Sequence, residues 1–170
     1  MVKPVYLDYN ATVPLLKEVK NSLIDCMDIG PINPSSIHYY GRKGKIIIDM
    51  AKSNIGELIN ANKNNIIFTG SATEAINLLF SNFNTIVISS IEHLAVLSSS
   101  KSDHIIPVNQ DGVVDLNVLE IYLKKLIKNN KKILVSVMWV NNETGVIQPI
   151  KDVVEIAKKY GCLVHCDAAQ

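Results

Sequence analysis

Hydrophobic residues recur along the chain in two alternating patterns, short apolar runs and longer amphipathic stretches. The runs at 85–88, 133–140 and 162–166 are nearly continuous in apolar residues, which is typical of strands buried in a parallel sheet. The stretches at 39–60 and 115–127 carry apolar residues at three- and four-residue steps, which predicts helices with one buried face. This alternation predicts an α/β fold with a mostly parallel sheet flanked by helices.

Weaker patterns predict the remaining elements. Helices are expected at 14–27, at 72–80, from 93 onward and at 148–160, and a further short strand is expected at 65–68. Asp115 is placed to cap the helix that follows it, and Gly161 stands where a helix end needs a left-handed residue. Asp111 and Gly112 indicate a tight turn after the apolar run at 105–108.

Four polar clusters each follow a predicted strand. They are residues 69–74, 92–93, 141–145 and 167–170. Because a parallel sheet places its binding sites at the carboxyl ends of its strands, we expect all four clusters at one rim of the sheet.

The first cluster allows two interpretations. Ser71 and Glu74 have the spacing of a capping box, in which each side chain satisfies a backbone amide of the first helical turn. The same turn also offers amide groups, a helix dipole end and the hydroxyls of Ser71 and Thr73 to an anion such as a phosphate. It is not a Walker loop, since no Gly-Lys-Ser/Thr follows Gly70.

The other clusters differ in how strongly they indicate a site. Taken alone, His93 is more typical of a surface histidine than of a catalytic one, and residues 141–145 could form only a polar turn. Asp167 follows a buried strand, where a carboxylate needs a partner. A protonated heterocyclic nitrogen would be such a partner.

Composition and charge exclude several classes of protein. The chain has 170 residues, 17 Lys and Arg against 16 Asp and Glu, and a formal net charge of +1. A net charge so close to zero does not indicate binding to nucleic acid or to an anionic membrane surface. No apolar run approaches the length of a membrane span. Three cysteines are too few for a disulfide framework. We expect a soluble, cytoplasmic protein with no metal site.

Together these clusters resemble the cysteine desulfurases, which are pyridoxal-phosphate enzymes of the class V aminotransferase group. The likeness is carried by residues 6–14, 33–38, 41–42, 68–77, 91–93, 140–148 and 165–170, in the family's order. It implies that residues 1–170 are the amino-terminal part of the cofactor-binding large domain of a fold-type I transferase. Residues 1–14 would then form an N-terminal segment near the smaller domain.

The resemblance also implies a role for each site residue. Ala72 and Thr73 would hold the phosphate of pyridoxal 5′-phosphate, and His93 would stack on its ring and shuttle protons. Asn142 and Gln170 would hydrogen-bond near the phenolic oxygen of the ring and the substrate carboxylate. Asp167 would pair with the ring nitrogen and keep it protonated, so that the ring can accept electrons from the substrate.

The chain departs from the family pattern at two catalytic groups. In cysteine desulfurases the Schiff-base lysine comes downstream of the stretch that resembles residues 167–170, and the nucleophilic cysteine comes further on. Neither has a counterpart here, so we expect the isolated chain to be inactive. Cys26, Cys162 and Cys166 are not expected to carry a persulfide, because they fall on a helix or pack beneath the sheet.

Three functional hypotheses follow. The first is part of a cysteine desulfurase, which converts L-cysteine to L-alanine and passes a persulfide sulfur to an acceptor for iron–sulfur clusters or tRNA thiolation. It would act as a homodimer or with a complementing C-terminal fragment. The second is a non-enzymatic degenerate fragment or partner-binding module. The third is a selenocysteine lyase or another class V member. A dinucleotide-binding fold is disfavoured, because no Gly-x-Gly-x-x-Gly follows any predicted strand.

Overall fold

A computed structural model describes residues 4–100, 102, 104–128 and 132–170 and divides the chain into two compact units. The boundary lies between Phe68 and Thr69. In the described residues the first unit contains helices only, and the second holds the sheet. Residues 1–3 of the expected N-terminal segment lie outside the described residues. None of the helices in the described ranges combines the length and the apolar character that crossing a lipid bilayer requires.

The first unit consists of α1 (Lys17–Asp28), α2 (Tyr39–Leu58) and a short 3₁₀ helix (Lys63–Asn65). The predicted helix start at Pro14 was wrong. Leu16 still has an extended backbone, with ψ of 145°, and no side chain caps the first turn of α1. The long second helix is confirmed, although it ends at Leu58 rather than residue 60.

The fully buried residues of α2 are glycines, and the predicted apolar stripe is half-buried except at its C-terminal end. Gly41, Gly44 and Gly56 are the buried residues of this helix, whereas Leu58 is 85% exposed. A Cβ atom at Gly41 would lie 2.1 Å from the Ser36 carbonyl oxygen. The preceding loop therefore packs directly on the helix backbone, and only a residue without a side chain allows this approach.

The strand predicted at 65–68 is also wrong. The 3₁₀ helix occupies its beginning, and Ile66 is extended but belongs to no strand of the described chain. Ile67 is 73% exposed and Phe68 is 50% exposed. An apolar run becomes a strand only where another strand takes its backbone hydrogen bonds.

In its described residues, the second unit is built on a four-stranded, fully parallel sheet. The strands are β1 (Thr85–Ser89), β2 (His104–Ile106), β3 (Ile133–Ser136) and β4 (Leu163–His165). Their order across the sheet is β2-β1-β3-β4. Val87 lies level with His104 on one side and with Val135 on the other, and Ser136 lies level with His165. The predicted parallel α/β architecture is confirmed.

Helices from the described part of this unit cover the two faces of the sheet. They are α3 (Ala72–Phe80), α4 (Leu94–Ser100), α5 (Leu116–Leu126) and α6 (Ile150–Lys159). Val87 and Val135 pack against α5 and α6, whereas the alternate residues Ile86, Ile88 and Leu134 pack against α3 and α4. Successive strand residues point to opposite faces, so a continuous apolar run is what a sheet buried on both sides requires.

Several predictions made from short sequence patterns are confirmed. Asp115 Oδ1 accepts the amide hydrogens of Asn117 and Val118 at 2.9 and 3.1 Å and so caps α5. Gly161 follows α6 with φ of +68°, and Gly112 has φ of +76° in its turn. The run predicted as one strand at 133–140 is shorter, because β3 ends at Ser136 and Val140 instead bridges back to Ile147.

Candidate functional site

The order of the strands identifies a crevice at the carboxyl end of the sheet. From β1 the chain crosses to β2 on one side, whereas β3 and β4 lie on the other side. Parallel sheets bind ligands where the strand order reverses in this way, outside the carboxyl ends of the two diverging strands. Here that point lies between the ends of β1 and β3.

Hydrogen bonds join three of the predicted polar clusters at this rim. The Met138 amide donates to Glu92 Oε1 at 2.7 Å, and Asn141 Nδ2 donates to the Ile91 carbonyl oxygen at 2.9 Å. The Trp139 amide donates to the carbonyl oxygen of Asp167 at 2.9 Å. The segments that follow β1, β3 and β4 are therefore held side by side, as the sequence predicted for these clusters.

A cleft of about 370 Å³ opens between the first two of these segments. Its lining includes residues 90–94 and 141–144, and so brings His93 and Asn142 to one cavity. His93 is exposed, and its Nδ1 accepts the Ala95 amide hydrogen at 3.1 Å at the start of α4. In the neutral ring the hydrogen is then on Nε2. Asn142 is half-buried.

The start of α3 lies toward the same end of the sheet. This helix packs on the sheet through Ile76 and Phe80 and ends shortly before β1 begins. It therefore runs back against the direction of β1, with its first turn toward the rim where β1 ends. Ala72 and Thr73, in that first turn, are both exposed.

The capping-box interpretation of this turn is confirmed for Ser71, whereas Glu74 reaches the amide of Gly70, one residue before the N-cap. Ser71 Oγ accepts the Glu74 amide hydrogen at 3.1 Å, and Glu74 Oε2 accepts the Gly70 amide hydrogen at 2.7 Å. The box takes up the amides of residues 70 and 74 and leaves those of Ala72 and Thr73 pointing out of the helix end. The anion-site interpretation stays a prediction for these two residues.

Asp167 is half-buried beyond the end of β4. Its Oδ1 accepts the Ala169 amide hydrogen at 3.1 Å, which folds the following residues around the carboxylate. The side chain is thus less deeply placed than its position after an apolar run suggested. Gln170 is exposed.

Sequence reasoning assigned no role to two buried polar residues of this rim. Glu92 is 5% exposed and Asn141 is 7% exposed. Burial raises the pKa of Glu92 to about 7, against hydrogen bonds from Ser89 and Met138 that lower it, and the nearby Asp167 raises it further. The available signal was that both residues follow predicted buried strands within a few positions, but roles were assigned to the neighbouring His93 and Asn142.

The two thiol groups of the second unit are in surroundings that disfavour a thiolate. Burial raises the pKa of Cys166 to about 11, and the carboxyl groups of Glu92 and Asp167 add to this effect. Cys162 is buried among core residues, and burial raises the pKa of its thiol as well. Across the described ranges, no group of three or more His, Cys, Asp or Glu side chains is placed to hold a metal ion.

Comparisons with known proteins show the family and the fold of the chain. The sequence profile of the family described as aminotransferase class-V matches residues 5–170. The chain belongs to this family. Among class V relatives, it is 37% identical to the cysteine desulfurase IscS of Dictyoglomus turgidum, over all of this chain and 46% of the relative.

Two solved structures of this class share the fold. A NifS-like protein from Rickettsia africae is 38% identical with a TM-score of 0.89, over 95% of this chain and 47% of that one. SspA, solved in complex with cysteine, is 31% identical with a TM-score of 0.82, over 97% of this chain and 50% of that one. The chain thus spans about half the length of the relatives it matches.

Proposed function

We propose that this class V chain holds pyridoxal 5′-phosphate for a cysteine desulfurase reaction. The carrying observation is the half-buried Asp167 carboxylate at the sheet rim, close to the buried Glu92, with the backbone carbonyl oxygen of Asp167 held by the Trp139 amide. Two carboxyl groups at one rim favour a cation there, which matches a protonated ring nitrogen. The names of the relatives support the same reaction.

The remaining residues fit the other parts of the cofactor. The exposed amides of Ala72 and Thr73 lie at a helix start, where the dipole and unsatisfied N–H groups favour a phosphate. His93 and Asn142, on opposite sides of the cleft, would stack on the ring and hydrogen-bond near its phenolic oxygen. Gln170 would act beside Asn142, toward the phenolic oxygen and the substrate carboxylate.

The bound cofactor would withdraw electrons from the substrate carbon next to the amino group. The role of Asp167 is to keep the ring nitrogen protonated, and the role of His93 is to hold or move a proton beside the ring. The reaction proposed for the whole enzyme removes sulfur from L-cysteine, leaves L-alanine and passes a persulfide sulfur to an acceptor.

The proposal also covers the larger enzyme to which this chain would belong. Residues 1–170 would form the amino-terminal part of a cofactor-binding large domain, within a cytoplasmic enzyme. It would act as a homodimer or with a complementing fragment. Iron–sulfur cluster assembly and tRNA thiolation are the proposed uses of the sulfur.

Binding of pyridoxine 5′-phosphate tests the proposal. This compound has the ring nitrogen and the phosphate but no aldehyde, so surface lysines cannot capture it covalently. Trp139 is the single tryptophan of the chain and its backbone contacts Asp167, so its emission reports on this rim. We expect saturable quenching, checked by equilibrium dialysis, that Asp167→Asn weakens about tenfold or more.

The matched control is Asp152→Asn, which makes the same change at an exposed position in the first turn of α6. This variant is expected to bind like the wild type. If the wild-type chain shows no saturable binding, or if Asp167→Asn binds as tightly as Asp152→Asn, the proposed cofactor site is wrong.

A further inference from the structure

Glu92 is a buried carboxyl group to which the proposed reaction assigns no role. Its Oε1 accepts two hydrogen bonds, from Ser89 Oγ at 2.5 Å and from the Met138 amide at 2.7 Å. Ser89 is the last residue of β1, and Met138 follows the end of β3. One oxygen atom therefore connects the ends of the two strands that border the cleft.

A second connection runs in the opposite direction between the same segments. Asn141 Nδ2 donates to the Ile91 carbonyl oxygen at 2.9 Å, and Asn141 Oδ1 accepts the amide hydrogens of Glu143 and Thr144 at 3.0 and 2.8 Å. Each connecting side chain belongs to the residue just before a cleft residue, Glu92 before His93 and Asn141 before Asn142. Their hydrogen bonds thus fix how far apart His93 and Asn142 lie.

The other oxygen of Glu92 has different surroundings. Within the described part of the chain, Glu92 Oε2 is buried and has no hydrogen-bond partner. Leaving a charged oxygen in such a position is costly, so a proton on Oε2 is favoured. A charged ligand at the rim can change whether the protonated or the ionised form of Glu92 is favoured.

The groups that face Glu92 come from each neighbouring segment. Asp167 and Cys166 follow β4 and interact electrostatically with it, and His93 is the next residue along its own segment. The segment that follows β3 carries no charged side chain before Glu143, and α4 carries none. Asp167 is thus the charged side chain that acts on Glu92 from across the rim.

We infer that Glu92 is a positioning residue of the cleft. Its hydrogen bonds connect the end of β1 to the end of β3, and its protonation state depends on the charge at Asp167. When Asp167 stands alone, its negative charge favours the protonated form of Glu92. A cation paired with Asp167 removes that repulsion, so the pKa of Glu92 falls and a larger fraction of the molecules releases this proton to solvent. The role toward a cofactor rests on the proposed function, but the coupling between the two carboxyl groups does not.

The test follows the titration of Glu92 in the ligand-free chain. Infrared difference spectra between wild type and Glu92→Gln should show the C=O band of a protonated carboxyl group, which disappears with a midpoint near pH 7. The NMR signal of the Met138 amide should shift with the same midpoint, because this amide donates to Glu92. Neither change is expected in Glu92→Gln, whereas Glu155→Gln, at an exposed position of α6, should keep both.

Coupling is tested by Asp167→Asn. Removing this charge should lower the Glu92 midpoint below that of the wild type, and saturating pyridoxine 5′-phosphate should move it in the same direction in the wild type. A Glu92 carboxyl group that is not coupled to Asp167 would show no such shift. An unchanged midpoint in Asp167→Asn, or a Met138 amide that does not follow the titration, would overturn the inference.

The two proposals can fail separately. If pyridoxine 5′-phosphate does not bind but Asp167→Asn still lowers the midpoint, the proposed function is wrong and the Glu92 inference stands. If it binds and the midpoint stays constant, the coupling is wrong and the binding site stands. Glu92→Gln keeps an acceptor at the Oε1 position, so it should retain the tie and lose only the titration.

Discussion

Gln148 holds Val114 in place across 34 positions of sequence: its Oε1 accepts the Val114 amide hydrogen at 2.9 Å. The same side chain donates from Nε2 to the Gly112 carbonyl oxygen at 2.8 Å. Gln148 is 3% exposed, so both hydrogen bonds form away from water. One side chain therefore joins the turn before α5 to the segment that leads into α6.

Replacing Gln148 with Ala should destabilise the second unit. The Val114 amide and the Gly112 carbonyl group would lose their buried partner, which costs about 1–3 kcal/mol of unfolding free energy. Urea denaturation followed by circular dichroism measures this loss. Gln110→Ala makes the same change at an exposed position of the neighbouring turn and should alter stability by less than about 0.5 kcal/mol. Equal stabilities of the two variants would contradict the interpretation.

Local sequence patterns predicted those elements whose cause is itself local. Asp115 caps α5 because its side chain reaches amides of the next turn, and Gly161 ends α6 because it reaches a φ that other residues avoid. The segment 65–68 has the apolar composition of a strand, yet pairing depends on a neighbouring strand that no local pattern contains. Leu16 likewise remained extended although a helix was predicted from Pro14.

The sequence predicted which polar clusters lie together at the candidate site, but not which of their side chains contact one another. Parallel strands end at one rim, so polar residues after β1, β3 and β4 had to lie near one another. Sequence could not show that Glu92 turns inward while His93 stays exposed, because this depends on the Met138 amide, 46 positions away. Which group a buried polar side chain pairs with depends on the tertiary structure.

The hydroxyl of Ser71 is expected to stabilise α3 as its cap. Ser71→Ala removes the acceptor of the Glu74 amide hydrogen and should lower the free energy of unfolding by about 1 kcal/mol. Ser98→Ala, on the exposed side of α4, is the matched control and should have little effect. Thermal denaturation of both variants measures the difference. A Ser71→Ala chain as stable as the control would show that the cap contributes nothing.

Gly161 should tolerate a side chain only at the expense of backbone strain. Its φ is +68°, and nothing lies within 4 Å of the place where a Cβ atom would stand. Gly161→Ala should therefore cost about 1 kcal/mol or somewhat more through its backbone conformation alone. Gly161→Asn should cost less, because Asn adopts this conformation more readily. Chemical denaturation should rank the variants in that order, and the reverse order would point to a steric cause.

The pH dependence of stability should reveal the buried Glu92 carboxyl group. Burial, with a contribution from Asp167, raises its pKa in the folded chain from 4.5 to about 7. The folded state thus binds the proton more tightly than the unfolded state. The stability that this provides is fully present below about pH 4.5 and is lost as pH rises to about 7, with a total of about 3 kcal/mol.

Other groups titrate with the opposite sign, so the comparison must be between variants. Burial lowers the pKa of His165, which makes stability fall as pH decreases below 6.5, and hydrogen bonds from Lys159 and Tyr160 lower the pKa of Glu120 to about 2. Both effects persist in Glu92→Gln and cancel in the difference between the two chains. Urea denaturation at pH 5 and pH 8 should therefore show the wild type losing more stability than Glu92→Gln, while Glu155→Gln follows the wild type. Parallel curves for all three chains would mean that the Glu92 carboxyl group stays ionised inside the fold.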